Sequence, residues 1–194
     1  GYTHGSTGNI SVPLDDGLLV TPTGSSFGTL DPARLSKLDF DGRLLSGDKP
    51  TKEMPLHNAF YETRGTAGAV VHLHSCHSVA LSLMPDIDHE DFLPHFTPYS
   101  IMRLGRVKLL PFFMPGDPEM GKAVRGLSGK RSAVMLANHG PVVAGKDIEA
   151  ACNAIEELED TARLAMMTRG MNANSLNDDQ VKSIITKFDV EWDS

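Results

Sequence analysis

Two histidines, His72 and His74, stand two residues apart at the end of an apolar run, Ala69, Val70 and Val71. In a strand, positions i and i+2 point to the same face, so both imidazoles can reach one metal ion without bending the backbone. Taken alone, such a pair is more often structural or merely exposed. A third candidate, His139, lies between Asn138 and Gly140, where a second apolar run (133–137) turns back on itself. A catalytic zinc takes three protein ligands and keeps one position open. His72, His74 and His139 would supply three neutral imidazoles; the competing reading of His139 is packing at a hairpin. Glu53 stands near the start of a helical stretch, after a loop rich in turn residues. A helix N-terminus favours anions. Glu53 therefore reads as a helix-start glutamate, or as an acid/base group or a fourth ligand that substrate displaces.

Three loops carry small residues with free backbone N–H groups: Gly8-Asn9, Thr23-Gly24-Ser25-Ser26 and Thr51-Lys52. Such nests bind phosphate, and Lys52 adds a point charge. Each loop taken singly reads as a turn; together with a metal candidate, Asn9, Thr23, Gly24, Thr51 and Lys52 become phosphate or substrate contacts. Tyr99 reads as packing, or as a phenol that donates a proton to a carbanion-like carbon. His57 and His77 fall on helices and read as structural or as supports for the metal ligands. No role is assigned to His4, His89 and His95. Cys76, close to the histidine pair, reads as a buried free thiol rather than a ligand.

The elements that must hold these residues follow from pattern. Residues 10–13 and 18–21 form a hairpin across Asp16-Gly17. Asp31-Pro32 opens a short helix through 38, and 43–45 is a short strand. A helix is predicted over 52–63, a strand over 69–74, a helix over 75–84, an irregular segment over 85–98 and a buried strand over 107–113. Then come a helix at 118–127, strands at 133–137 and 141–144, and a long helix capped by Asp147. Its apolar stripe is Ile148, Ala151, Ile155, Leu158, Ala162 and Ala165. A last helix spans 178–187, and 188–194 reads as a mobile tail or flap. Interleaved strands and helices with hairpins give an α/β fold: one domain over 1–194, with a mixed central sheet flanked by helices. The chain opens on a loop that enters a strand directly, so a preceding N-terminal helix is expected to be missing from it.

Composition narrows the function classes. The 194 residues carry a net charge of −7, with 40% hydrophobic and 22% charged residues. That balance argues against a nucleic-acid binder. No run is basic enough to hug a membrane or apolar enough to span one, and no stretch reads as a signal peptide. Two cysteines do not make a disulfide framework, which points to a reducing cytoplasm.

Taken in order, Gly8-Asn9-Ile10-Ser11, Thr21-Pro22-Thr23-Gly24, the Glu53 loop, His72-Leu73-His74 and Asn138-His139-Gly140 resemble the class II aldolase/adducin family over residues 1 to about 170. Within it, several runs are similar to the 3-oxo-tetronate 4-phosphate decarboxylase branch. These are 30–37, 45–53, 71–75, 96–99, 115–117, 136–143 and 156–159. The resemblance implies a zinc enzyme, with another divalent transition metal possible, and a homotetramer with sites between neighbouring subunits. It implies His72, His74 and His139 as zinc ligands, Glu53 as acid/base residue and metal contact, and Tyr99 as proton donor. The implied reaction is decarboxylation of a 3-oxo-tetronate 4-phosphate to dihydroxyacetone phosphate and CO2 through a metal-stabilised enediolate, in sugar-acid catabolism. Two alternatives stand beside it: an aldolase cleaving a fuculose-1-phosphate-like sugar phosphate to dihydroxyacetone phosphate and an aldehyde, and a non-catalytic adducin-like scaffold. Fuculose-type aldolases carry two serines where this chain has Thr51 and Lys52, which weakens transfer of the aldolase activity.

Overall fold

The computed structural model describes residues 1–192. Among the described residues, eight strands form one sheet: β1 (Asn9–Leu14), β2 (Gly17–Val20), β3 (Ser36–Leu38), β4 (Leu44–Ser46), β5 (Ala69–His72), β6 (Lys108–Leu110), β7 (Ala133–Leu136) and β8 (Gly140–Gly145). Their spatial order is β4-β3-β2-β1-β5-β8-β7-β6. Each neighbouring pair is antiparallel except β6 and β7, which run parallel. The helices are α1 (Met54–Thr63), α2 (Cys76–Ser82), α3 (Pro98–Leu104), α4 (Pro118–Gly126), α5 (Ile148–Met167) and α6 (Asp178–Phe188). This is the expected single α/β domain with a mixed sheet between helices.

Strand alternation sorts the core into two layers. Val70, Val134, Leu136, Val142 and Ala144 pack with Leu56, Ala59 and Phe60 of α1 and Met120 and Val124 of α4. Their sequence neighbours Ala69, Val71, Ala133, Met135 and Val143 pack on the other side with Ala151, Ile155, Leu158 and Ala162 of α5. His72 is two residues from Val70, so it faces the α1 side. On β1, Ile10 and Val12 join the α5-side layer, while the buried polar residues Asn9 and Ser11 point the other way, under α1. The register places Asn9 directly opposite His72. A polar strip under one helix, at the ends of the central strands, is where the candidate site residues meet.

Four sequence expectations change. Residues 31–38 are not a helix: Asp31 caps only a 3-10 turn (Pro32–Arg34), after which β3 pairs with β2, burying Ser36 and Leu38. The alternating burial of β3 decides the matter against the Asp-Pro helix-start signal. Thr97 caps a helix, α3, with Pro98 in its first turn, where the pattern offered none, and Tyr99 lies inside it. Ile148, first in the α5 stripe, is exposed, whereas the rest of the stripe is buried. The tail is not free as far as Trp192. Glu191 pairs with Arg64 at 2.7 Å, and the Trp192 ring meets His95 edge-on at 5.4 Å. The remainder of that expectation, 193–194, lies outside the described residues. Among the described residues no helix is long and apolar enough to cross a membrane.

Candidate active site

β5 ends at His72, and His74 follows as the chain leaves the sheet toward α2. That exit is pinned from two directions. The Ser75 hydroxyl donates to the Tyr2 carbonyl at 2.7 Å. The buried Glu159 carboxylate of α5 accepts from the backbone N–H groups of His77 and Ser78 at 2.9 and 2.8 Å, capping α2. His139 arrives on the β7–β8 turn, which is closed by its own N–H donating to the Leu136 carbonyl at 3.1 Å. Asn138 sits at φ 59° there, a left-handed conformation that Asn tolerates better than most residues. Gly140 is required for a different reason: a Cβ on it would stand 2.0 Å from the Leu73 carbonyl oxygen and 3.3 Å from His72 Cε1. Gly140→Ala is therefore expected to push the Leu73 backbone, which lies between two of the histidines. Overpacking of this kind costs about 1–3 kcal/mol, roughly 2–12 °C in Tm for a chain of this size. Calorimetry of the metal-free variant, with a metal titration alongside, checks both the loss of stability and a weaker metal site.

The three imidazoles converge. Ring centroids of His72, His74 and His139 are 4.7–5.0 Å apart, and their ligand nitrogens all lie within 4.8 Å of one another. His72 Nδ1 donates to the Pro141 carbonyl at 2.9 Å, which leaves the Nε2 lone pair for another partner. That Nε2, and both ring nitrogens of His139, are buried with no hydrogen-bond partner. Buried polar atoms are seldom left unsatisfied. A divalent cation would satisfy His72 Nε2 and one nitrogen of His139, and three neutral imidazoles with an adjacent carboxylate suit zinc or a similar transition metal.

The electrostatics point the same way. Burial pushes His72 and His74 down to about 4, and the like-charged rings around them add to that. His139 is lowered as well, chiefly by burial. Burial works to raise the Glu53 carboxyl, but the facing His72 and a hydrogen bond from Asn9 outweigh it and hold it below its ordinary value. At neutral pH the site therefore holds uncharged imidazoles and an ionised carboxylate, the protonation states a metal centre needs.

A pH dependence follows. His57 is lowered to about 3 by burial, and together with His72 and His74 it stays neutral in the folded state. In the unfolded chain these groups titrate near 6.5. Their contribution to stability is fully present above pH 6.5 and is lost as pH falls toward about 4. Urea midpoints of the metal-free protein should drop steadily over that window; a flat profile would contradict the assignment.

Glu53 reaches the cluster from the N-terminus of α1. Its Oε2 is 3.5 Å from His72 Nε2, and its Oε1 is 3.5 Å from His139 Nε2. Asn9 Nδ2 donates to Oε2 at 2.7 Å. Beside it opens a cavity of about 250 Å³, lined by Ser6, Thr7, Gly8, Asn9, Thr23, Gly24, Thr51, Lys52, Glu53 and His74 among others. The three loops that the sequence offered separately thus meet around one space. Lys52 is exposed beside it, its aliphatic stem against Gly116. Asn9 lines the cavity, but its side chain is committed to Glu53 and His57. Ser6 and Thr7 were not singled out from sequence, although they belong to the same run of small polar residues as Gly8 and Asn9.

Tyr99 is not brought to this cluster within the chain. It is exposed on α3, its ring under the Arg103 guanidinium at 5.7 Å, and does not line the cavity. Cys76 is exposed, not buried, at the first position of α2. His77 pairs with Glu159 at 2.8 Å and is structural.

Comparison with known proteins agrees with the fold. The model of the Class II Aldolase and Adducin N-terminal domain matches residues 1–166. A 3-oxo-tetronate 4-phosphate decarboxylase of Escherichia coli strain K12 is 50% identical over 165 residues, covering 84% of this chain and 78% of the relative. An L-fuculose phosphate aldolase of Haemophilus influenzae is more distant, at 28% identity over 97% of this chain and 86% of the relative. The crystal structure of YgbL from Escherichia coli superposes with a TM-score of 0.92 at 44% identity, covering 95% of this chain and 89% of that one. The chain therefore belongs to the class II aldolase and adducin N-terminal domain family.

Proposed function

We propose that this protein is a lyase, a metal-dependent carboxy-lyase that converts a 3-oxo-tetronate 4-phosphate to dihydroxyacetone phosphate and CO2. The observation that carries the reading is the convergence of three metal-competent histidines and an ionised glutamate beside a cavity ringed by phosphate-type loops. The 50% identity to a named decarboxylase, against 28–34% to named fuculose-phosphate aldolases, supports CO2 as the leaving group.

His72, His74 and His139 would hold the metal, zinc by preference, with Glu53 as a further contact before substrate arrives. When bound, the ion supplies Lewis acidity for negative charge that develops on substrate oxygens. Thr23, Gly24, Thr51 and Lys52 would hold the phosphate: backbone N–H groups and hydroxyls donate to it, and the ammonium offsets its charge. Departure of CO2 leaves an electron pair at the carbon beside the ketone. Glu53 manages the proton on the substrate oxygen, and Tyr99 donates to that carbon. Because Tyr99 faces solvent in its own chain, its part requires a neighbouring copy, in keeping with a homo-oligomer.

The test is direct. Metal-loaded protein is incubated with 3-oxo-tetronate 4-phosphate, and CO2 and dihydroxyacetone phosphate are assayed. Absence of both sinks the reading. Aldehyde release from a fuculose-1-phosphate-like substrate, followed with a coupled reductase, would favour the aldolase instead. Protein that binds no divalent metal would return the adducin-like scaffold.

A further inference from the structure

Behind Glu53 runs a buried hydrogen-bonded chain that the reaction scheme above does not use. Asn9 Nδ2 donates to Glu53 Oε2 at 2.7 Å. Asn9 Oδ1 lies 2.5 Å from His57 Nε2. His57 Nδ1 lies 2.6 Å from Ser11 Oγ, which lies 2.8 Å from the Tyr61 hydroxyl. The single Tyr61 proton is shared between Ser11 Oγ and the Ser11 carbonyl, the latter at 2.9 Å. His57 and Ser11 are fully buried, and Asn9 and Glu53 nearly so.

Donor and acceptor inventory permits one arrangement. A carboxylate oxygen only accepts, so the Asn9 amide must turn its NH2 to Glu53 and its carbonyl to His57. A carbonyl also only accepts, so His57 Nε2 must carry the ring proton. The ring is neutral, since burial pushes it down to about 3. Nδ1 is then a lone pair, and the Ser11 hydroxyl has to donate to it. Each member fixes the next, and the series ends on one oxygen of Glu53. The other oxygen, Oε1, receives no hydrogen bond from the described residues and faces His139. Turning the Asn9 amide over would set its oxygen against a carboxylate and its NH2 against the His57 N–H.

We propose that His57, held by Ser11 as the Nε2–H tautomer, is a positioning residue: it locks Asn9, and through it commits Glu53 Oε2, leaving Oε1 as the oxygen that exchanges a proton with substrate. The proposal rests on the reading of Glu53 as the acid/base residue. It gives Asn9 a task distinct from phosphate binding. It also accounts for a buried neutral histidine that touches neither the metal cluster's lone pairs nor the cavity.

The experiment compares the parent with His57→Leu, His57→Gln and Ser11→Ala, measuring metal content, KM, kcat for CO2 release and a crystal structure of each. His57→Leu is expected to keep its metal and a KM within about 3-fold of the parent while kcat falls about 10–100-fold, the scale of a displaced reacting group. Its crystal structure should show the Asn9 amide or the Glu53 carboxylate turned. His57→Gln keeps an N–H that can reach Asn9 and should recover most of kcat; a purely space-filling role would not be rescued this way. Ser11→Ala should fall between the two. A His57→Leu kcat within 2-fold of the parent with Glu53 unmoved overturns the proposal, as does a loss of kcat that merely follows loss of metal. If His57→Leu does not fold by circular dichroism, Ser11→Ala and His57→Gln decide by the same criteria. If the parent releases no CO2, the decarboxylase reading fails by itself, and the Asn9 and Glu53 orientations in the variant crystals still decide the positioning role.

Discussion

Glu53→Gln is expected to bind metal as the parent does and to lose about 10²–10⁴-fold in kcat, the usual contribution of a positioned acid/base group. The two side chains have the same shape. The amide oxygen of Gln can take the place of Oε2 at Asn9 Nδ2, so the hydrogen bond at 2.7 Å and the buried packing survive. The imidazoles of His72, His74 and His139 are untouched, and they hold the lone pairs that a cation needs. The change removes a negative charge and a group able to take up and return a proton. KM should move little, because the phosphate-type loops do not depend on Glu53. Metal analysis and steady-state kinetics on the same preparation check this. A variant that turns over like the parent, or one that has lost its metal, would contradict the assignment of Glu53.

The other large effect is expected from His74→Ala, which should lose the metal outright and with it any measurable turnover. His74 is one of three nitrogen donors within 4.8 Å of one another. Changing a residue that merely supports a ligand typically costs ~10–100-fold in metal affinity, so deleting a ligand should cost more. The fold should survive, since His74 lies past the end of β5 and is only half buried. The discriminating measurement is therefore a metal titration of folded protein: an unchanged melting profile without metal, together with no stoichiometric binding. His139→Ala should behave alike at the site, but its buried turn makes a lower Tm an added expectation. Retention of one tightly bound ion per chain by folded His74→Ala would exclude the three-histidine centre.

Much of the site was legible because its residues sit in local patterns. The i, i+2 spacing of His72 and His74 pointed to a shared face; β5 ends at His72, and His74 joins it from the strand exit with ring centroids 5.0 Å apart. His139 announced itself through a strand-end turn, and Glu53 through a helix start. Local signals failed where pairing partners decide. Asp31-Pro32 is a helix-start pattern, yet β2 was available to pair with residues 36–38, and burial of Ser36 and Leu38 outweighed the local preference. Tyr99 carries no local mark of where its ring will point, and α3 turns it to solvent.

From its sequence alone this chain declared an α/β domain, three histidines able to share a metal, a glutamate at a helix start and three loops of phosphate type, because each is a matter of residue type and short-range periodicity. Only the tertiary structure decided how they meet. It set Asn9 opposite His72 by strand register, brought Glu53 within 3.5 Å of two imidazoles from a separate helix, and joined the loops around one cavity. It also buried His57 between Asn9 and Ser11, contacts 48 and 46 residues apart in the chain. The physical reason is that hydrogen-bond satisfaction in a buried strip is a property of all its members at once, and no local pattern encodes which distant donor must face which acceptor.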